Sequence, residues 1–290
     1  MVTDQVERIE RPNRDDFYNN YVLPGKPVVI SGAVNEWRAI SSWSIDHFKS
    51  IAGNTEIRVE ISPTNYFPPV HDKPFNLSSS RIEKMTFGQY IDRITSKGSK
   101  SENCYFAQQP LDALFPRLTN DIKLPDYFKK KRLVSTNLWF AGAGNITPLH
   151  YDLAHNLFAQ VIGRKRFILF EPTQVRLLYP FPKSSPIAHF SRVNIDNPDL
   201  GIFPHFRHAK PLECALEPGD ILFIPIFWWH QVYSLDMSVS ISFWSSPGWT
   251  KCLKLPAMRL CISSAALLIR RLKRRVIRIG YQTEQGRTEK

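Results

Sequence analysis

The stretch from about Tyr105 to Ser246 constrains the fold most, because it reads as a succession of short β-strands separated by proline and glycine turns. "NLFAQVIGRKRFILFEP" is two β-runs hinged at Gly163, and "EPGDILFIPIFWWHQVYSL" is two more with a proline-marked turn between them. In "SVSISFWSS" the alternation is clean: Val239, Ile241 and Phe243 fall on one face, Ser240, Ser242 and Trp244 on the other. That period of two belongs to a strand with unlike environments on its two sides. Many such strands in succession close into a β-sandwich or jelly-roll barrel.

The residues before this stretch alternate short elements and are expected to flank the barrel. "KPVVISG" reads as a strand ended by a glycine turn, and "TEIRVEIS" as a half-buried strand. "SIDHFKSIAG" reads as a helix with Ser44 as N-cap and Gly53 at its end, and "TFGQYIDRI" as another. The expected organisation is one domain over 1–250, with flanking elements in 1–104 and the jelly-roll core in 105–250, followed by a tail over 251–290. Between Pro172 and Pro211 runs a long proline-rich connection ("YPFPKSSP", "NIDNPDLGIFPHF"). A connection of that length in a compact domain is usually functional, and it is expected near the barrel mouth.

Charge belongs to the tail. The net charge is +12, yet Lys251 to Lys290 alone carry eleven Lys or Arg against two Glu, a balance of +9 that leaves +3 for the rest. Ala265, Leu268, Leu272, Val276 and Ile279 share one helical face there, with Arg270, Arg271, Arg274 and Arg278 mostly elsewhere. An amphipathic helix of this kind packs on its own domain or on a twin subunit, giving a homodimer; nucleic acid or anionic lipid are the other partners it fits. The N-terminus lacks the apolar core of a signal peptide, and no run reaches the ~18 apolar residues of a membrane span. Four scattered cysteines (Cys104, Cys214, Cys252, Cys261) form no C-x-x-C pair, which argues against a zinc knuckle or disulfide framework and fits a reducing compartment. The expected location is the cytoplasm.

Chemistry concentrates in "TPLHYDLAHNLFAQ", Thr147 to Gln160. His150 and Asp152, at i and i+2 of a strand, aim at the same face, as two ligands of one metal require. The best candidate for a third ligand is His230 in "IPIFWWHQV". Two histidines and one carboxylate with open positions form the facial triad of non-haem Fe(II) oxygenases. Lys165 in "RKRFILF" shares strand parity with Phe167 and Leu169, opposite Arg164 and Arg166, and a lysine facing an apolar interior needs an anion. His155 falls out of parity with the metal face and is expected at the pocket rim. His205 and His208 lack a third partner and are expected at the surface, and His47, His71 and His189 offer nothing specific. Of Trp228 and Trp229, one is expected in the core and the other in the pocket wall.

"TPLHYDLAHNLFAQVIGRKRFILFEP", "NIDNPDL", "LEPGDILFIPIFWWHQV" and "SFWSSP" occur in that order, and together they closely resemble the JmjC/cupin-type 2-oxoglutarate oxygenases. The likeness extends to the asparaginyl hydroxylase of hypoxia-inducible factor and the tRNA wybutosine hydroxylase, covers roughly Tyr105 to Pro247, and takes in "KPVVISGAVNEW". It implies a mainly β protein built on a double-stranded β-helix with N-terminal and C-terminal helices. It also implies Fe(II) on His150, Asp152 and His230, with 2-oxoglutarate as co-substrate and O2 as oxidant. By the same resemblance Lys165, Thr147 and Tyr105 hold the far carboxylate of 2-oxoglutarate. Asn156 and Phe158 match the family around the iron, and Trp244 matches as a pocket wall. Ser242 departs: the asparaginyl hydroxylase has asparagine there, a longer side chain.

The reading that follows is an Fe(II)/2-oxoglutarate hydroxylase acting on a protein or peptide side chain. A modified tRNA base or a small molecule is the second substrate class. No zinc-binding or histone-reader module accompanies the domain, which counts against lysine demethylation. A non-oxygenase cupin would not need Lys165, Thr147 and Tyr105 together, and an inactive scaffold would not need an intact triad.

Overall fold

The computed structural model describes residues 3–67, 80–96 and 103–246; the expected tail helix and His71 lie outside the described residues. Six strands precede the barrel: β1 (Asp4–Gln5), β2 (Arg8–Ile9), β3 (Val28–Ile30), β4 (Glu56–Ser62), β5 (Arg81–Thr86) and β6 (Asn103–Pro110). Eight build it: β7 (Leu133–Ala141), β8 (Ile146–Tyr151), β9 (His155–Ile162), β10 (Lys165–Phe170), β11 (Leu212–Leu216), β12 (Ile221–Ile224), β13 (Trp229–Ser234) and β14 (Ser238–Ser245).

These strands form a five-stranded sheet, β1-β11-β10-β13-β8, and a nine-stranded one, β2-β3-β12-β9-β14-β7-β6-β4-β5. Strands β7, β9, β12 and β14 therefore face β8, β10, β11 and β13, the two four-stranded walls of a jelly roll. Phe158, Leu222 and Ile224 from one wall meet Phe167, Leu169, Leu216 and Val232 from the other in a shared interior cluster. Tight turns keep the walls in register. Gly163, between β9 and β10, has φ +65°, and a Cβ there would stand 2.2 Å from the Met237 carbonyl, so only glycine fits.

The alternation of β14 becomes two environments. Val239, Ile241 and Phe243 sit in the larger core, between the nine-stranded sheet and the N-terminal helices. Ser238, Ser240 and Ser242 turn into the barrel and are fully buried. Two helices supply the outer layer. Ile45–Ala52 is capped by the Ser44 hydroxyl on the His47 amide, and Phe87–Thr95 opens with a capping box between Thr86 and Gln89. Phe48 and Phe87 bring their rings against Phe140 of β7. Removing one such buried ring costs on the order of 3–5 kcal/mol.

The long connection after β10 does two things. Leu178, Val193 and Phe206 cover the outer face of the five-stranded sheet against Leu149, Ile168, Phe170 and Trp229. Its middle also bridges the edge of β8 at Phe190 and His150. Thus it reaches the barrel mouth, as expected, but spends most of its apolar residues on the sheet's back. No helix among the described residues is long and apolar enough to cross a membrane.

Candidate metal and co-substrate site

Antiparallel pairing of β13 with β8 sets His230 directly opposite His150, so both imidazoles leave the same face of the sheet. Their ring centroids are 4.2 Å apart. Asp152 follows β8 immediately, and its carbonyl accepts the amide of Phe227 at 3.0 Å. Phe227 lies in the β12–β13 turn with φ +68°, a left-handed conformation that a phenylalanine holds only under such constraint. The Asp152 carboxylate lies 3.7 Å from His230 Nε2, and one ligand atom from each of His150, Asp152 and His230 falls within 4.8 Å of the others.

Both histidines are oriented through their other nitrogen. His150 Nδ1 donates to the Pro148 carbonyl at 2.7 Å and His230 Nδ1 to the Trp228 carbonyl at 3.0 Å. Each Nε2 keeps its lone pair for the centre of the cluster. Burial, reinforced by His150, holds the pKa of His230 well below its ordinary value, so this imidazole is neutral. Burial raises the Asp152 carboxyl, with His150 and His189 opposing. The ring of Phe190 stacks on His150 at 5.0 Å.

Behind the cluster a narrow opening runs into the barrel, lined on one side by Tyr105, Trp139, Thr147 and Val232 and on the other by Asn156, Phe158, Lys165 and Phe167. Thr147 reaches it by an irregularity. Thr147 and His150 are three residues apart, which on a regular strand puts them on opposite faces. The register shifts between them: His150 faces His230, but Thr147 faces Val232. This β-bulge falls at Pro148, which has no amide to give the ladder, and it turns both side chains inward. The Thr147 hydroxyl meets the Tyr105 hydroxyl at 3.5 Å.

Lys165 is completely buried and its Nζ has no hydrogen-bond partner. The nearest groups of note are the faces of Phe158 and Tyr105, 5.3 and 5.9 Å from Nζ to the ring centroids. Burial alone pulls its pKa down to about 7. Asn156 Oδ1 is likewise buried and unpartnered. Orphaned polar atoms of this kind are costly unless a ligand satisfies them.

Of the remaining expected residues, Ser242 is fully buried beneath the wall, where its hydroxyl accepts the Trp139 indole N–H at 2.8 Å. Trp244 pairs in register with Asn156, and neither Ser242 nor Trp244 lines the opening. Neither Trp228 nor Trp229 lines it either: Trp228 joins the interior cluster with its indole on the Gly25 carbonyl, and Trp229 packs behind the sheet. His155 is not at the rim; it faces the outer core, between Phe128 and Phe223, and accepts the Ile226 amide at 3.2 Å. His205 and His208 are exposed. Sequence reasoning missed Trp139, whose parity with Ala141 on β7 was the available signal. It also missed Glu60 of β4, in register with Tyr105 and raised by burial to a pKa of about 7.

The donor set fits a divalent metal: two imidazoles oriented through Nδ1, so that each turns Nε2 to the cluster, and one carboxylate, beside open space. The buried, unpartnered ammonium of Lys165 fits the far end of an anionic chelator. A metal-centred jelly roll with a cation at the end of its cavity defines the cupin class of oxygenase. Residues 14–250 match the family of the cupin-like domain, and the chain belongs to this JmjC-type cupin family, whose members work with Fe(II), 2-oxoglutarate and O2. The chain is 37% identical over 246 residues to "Lysine-specific demethylase JMJ30" of Arabidopsis thaliana, covering 83% of this chain and 55% of that protein. It is 35% identical to "Lysine-specific demethylase 8" of Danio rerio, covering 84% of this chain and 59% of that protein. With "tRNA wybutosine-synthesizing protein 5" of Homo sapiens the figures are 30%, 82% and 77%. The chain thus spans a little over half the length of the two demethylase relatives.

Proposed function

We propose that this chain is an Fe(II)- and 2-oxoglutarate-dependent dioxygenase that hydroxylates a side chain of a protein or peptide. The observation that carries the reading is Lys165, a fully buried amine without a partner, at the inner end of a cavity that opens at His150, Asp152 and His230. A cupin with another metal-dependent task has no use for that cation, and an inactive scaffold would gain stability by losing it.

His150 and His230 hold the metal through Nε2 and Asp152 through its carboxylate. Lys165 pairs with the distal carboxylate of 2-oxoglutarate, while the hydroxyls of Thr147 and Tyr105 donate to it. Phe158, Phe167 and Val232 keep water from that end, which strengthens each charge-assisted bond. Bound Fe(II) would bring O2, the oxidant, together with 2-oxoglutarate, which gives up two electrons as it becomes succinate and CO2, so that one oxygen atom goes to succinate and the other to a substrate C–H bond.

Similarity to proteins named as lysine-specific demethylases supports a protein substrate. A tRNA base is the second reading, favoured by similarity to the wybutosine-synthesizing protein, of which this chain covers the larger share. Anaerobic titration of the Fe(II)-loaded protein with 2-oxoglutarate tests the chemistry, and succinate formation screened with peptides, tRNA and small metabolites tests the substrate. His150→Ala and Lys165→Ala should each abolish 2-oxoglutarate binding or weaken it at least a hundredfold. Absence of any iron-dependent binding in the parent protein overturns the reading.

A further inference from the structure

The bulge that brings Thr147 beside His150 is held from behind. Gln231 lies between His230 and Val232 on β13, opposite the two bulged residues Pro148 and Leu149, and it points away from the cavity. It is nonetheless fully buried. Its Oε1 accepts the Tyr66 hydroxyl at 3.3 Å, and its Nε2 donates to the Tyr233 hydroxyl at 2.7 Å and to Asp196 at 3.1 Å. The Tyr233 hydroxyl in turn donates to the other oxygen of Asp196 at 2.6 Å. Three separate pieces of chain therefore meet at one amide. Tyr66 extends the edge of β8 through its bridge to Ile146, Tyr233 belongs to β13, and Asp196 comes from the long connection over the sheet.

Resting on the reading of the cavity as a 2-oxoglutarate site, the geometry points to Gln231 and Asp196 as positioning residues for the co-substrate, acting through Thr147. A bulge is set by how the partner strand is fixed against it, and here every polar atom of the Gln231 amide is committed to fixing it. The buried amide pins the strand between His230 and Val232, and the Asp196 carboxylate anchors that amide from the loop side. Loosening the clamp lets β8 slip toward regular pairing, which rotates Thr147 out of the cavity and leaves His150, one register pair away, facing His230. Metal affinity and co-substrate affinity then part company.

The experiment is calorimetric titration of the full chain, first with Mn(II) as a redox-inert metal, then with 2-oxoglutarate. Gln231→Met, which keeps the length and loses the hydrogen bonds, and Asp196→Ala should each raise the 2-oxoglutarate Kd at least fivefold and leave the Mn(II) Kd within twofold. In a Thr147→Ala background the same two substitutions should change the 2-oxoglutarate Kd by less than twofold, because their route is already removed. A merely structural role would move both affinities together or add to the Thr147→Ala loss, and either result overturns the inference. So does unchanged 2-oxoglutarate binding. Asp196 is exposed on the loop, so its variant decides the matter where Gln231→Met does not fold. A parent protein that binds Mn(II) but not 2-oxoglutarate removes the proposed co-substrate site and this inference with it, whereas parent binding with insensitive variants removes the inference alone.

Discussion

Two buried bases, His155 and Lys165, stand at the beginnings of adjoining strands on opposite sides of the same sheet sandwich, and their surroundings differ completely. His155 lies in the outer core between aromatic rings, and its nitrogen accepts a backbone amide. Lys165 lies inside the barrel, with aromatic faces around it and no acceptor for its three hydrogens. Burial depresses both, His155 to about 4 and Lys165 to about 7. The satisfied base serves the fold. The unsatisfied one costs the fold stability and makes sense only with a ligand, which is why Lys165, and not the more crowded histidine, marks the site.

The largest expected effect breaks this contrast at Lys165. Lys165→Met keeps the volume and removes the amine. It should raise the unfolding free energy of the ligand-free protein by about 1–3 kcal/mol while weakening 2-oxoglutarate binding more than a hundredfold. Urea unfolding and calorimetry on the same preparation check the two halves, and a variant both less stable and fully competent in binding would sink the assignment.

The same residue sets a pH dependence. Its pKa in the folded protein is near 7 against 10.5 ordinarily, so above pH 7 the folded, ligand-free protein lacks a proton that the unfolded chain still holds. Stability contributed at this position therefore rises with pH between about 7 and 10.5. Binding of the dianion needs the ammonium, so above pH 7 it takes up a proton and weakens by up to about tenfold per pH unit. Calorimetry in two buffers of different ionisation enthalpy measures that proton directly. Binding that stays level from pH 7 to pH 9 would separate Lys165 from the carboxylate.

How much of this was legible follows the same division. Strand parity alone placed Lys165 inside and Val239, Ile241 and Phe243 in the core, because a period of two survives wherever pairing is regular. Cap chemistry likewise located the helix that starts after Ser44. The position of Thr147 was not legible from parity, since an odd offset from His150 becomes an inward side chain only through the bulge at Pro148. Resemblance alone supplied it. His155 was placed at the rim because it falls out of parity with the metal face, yet parity does not carry past the turn after Asp152, which takes the chain to the opposite sheet. Trp139 offered only its parity with Ala141, and Gln231 gave no signal at all, because its role depends on partners far along the chain.

His155 sharpens the contrast from the other side. Its folded pKa lies near 4, below the ordinary 6.5, so its stabilising contribution is intact above pH 6.5 and is lost as pH falls toward 4. The loss amounts to up to about 3 kcal/mol across that window. His155→Leu should flatten the acid limb of the stability curve without altering 2-oxoglutarate affinity. A flattened affinity profile instead would draw His155 back into the site.

The smallest expected effect concerns Ser242, where the two kinds of environment touch. Its hydroxyl faces the barrel, but the atom it meets is the Trp139 indole N–H and not the open cavity. Its work is therefore to hold the indole of a wall residue, a single neutral hydrogen bond worth about 1 kcal/mol. Ser242→Ala should cost that much stability and raise the KM for 2-oxoglutarate two- to fivefold, with kcat nearly unchanged, because the indole gains freedom while the metal ligands stay fixed. Ser242→Asn is the stronger discriminator. Overpacking beneath Trp139 should push the indole into the opening and weaken co-substrate binding further than the alanine does. A tighter-binding asparagine variant would show that the side chain reaches the co-substrate itself, and Ser242 would then belong with Lys165 and not with the structural side of the sheet.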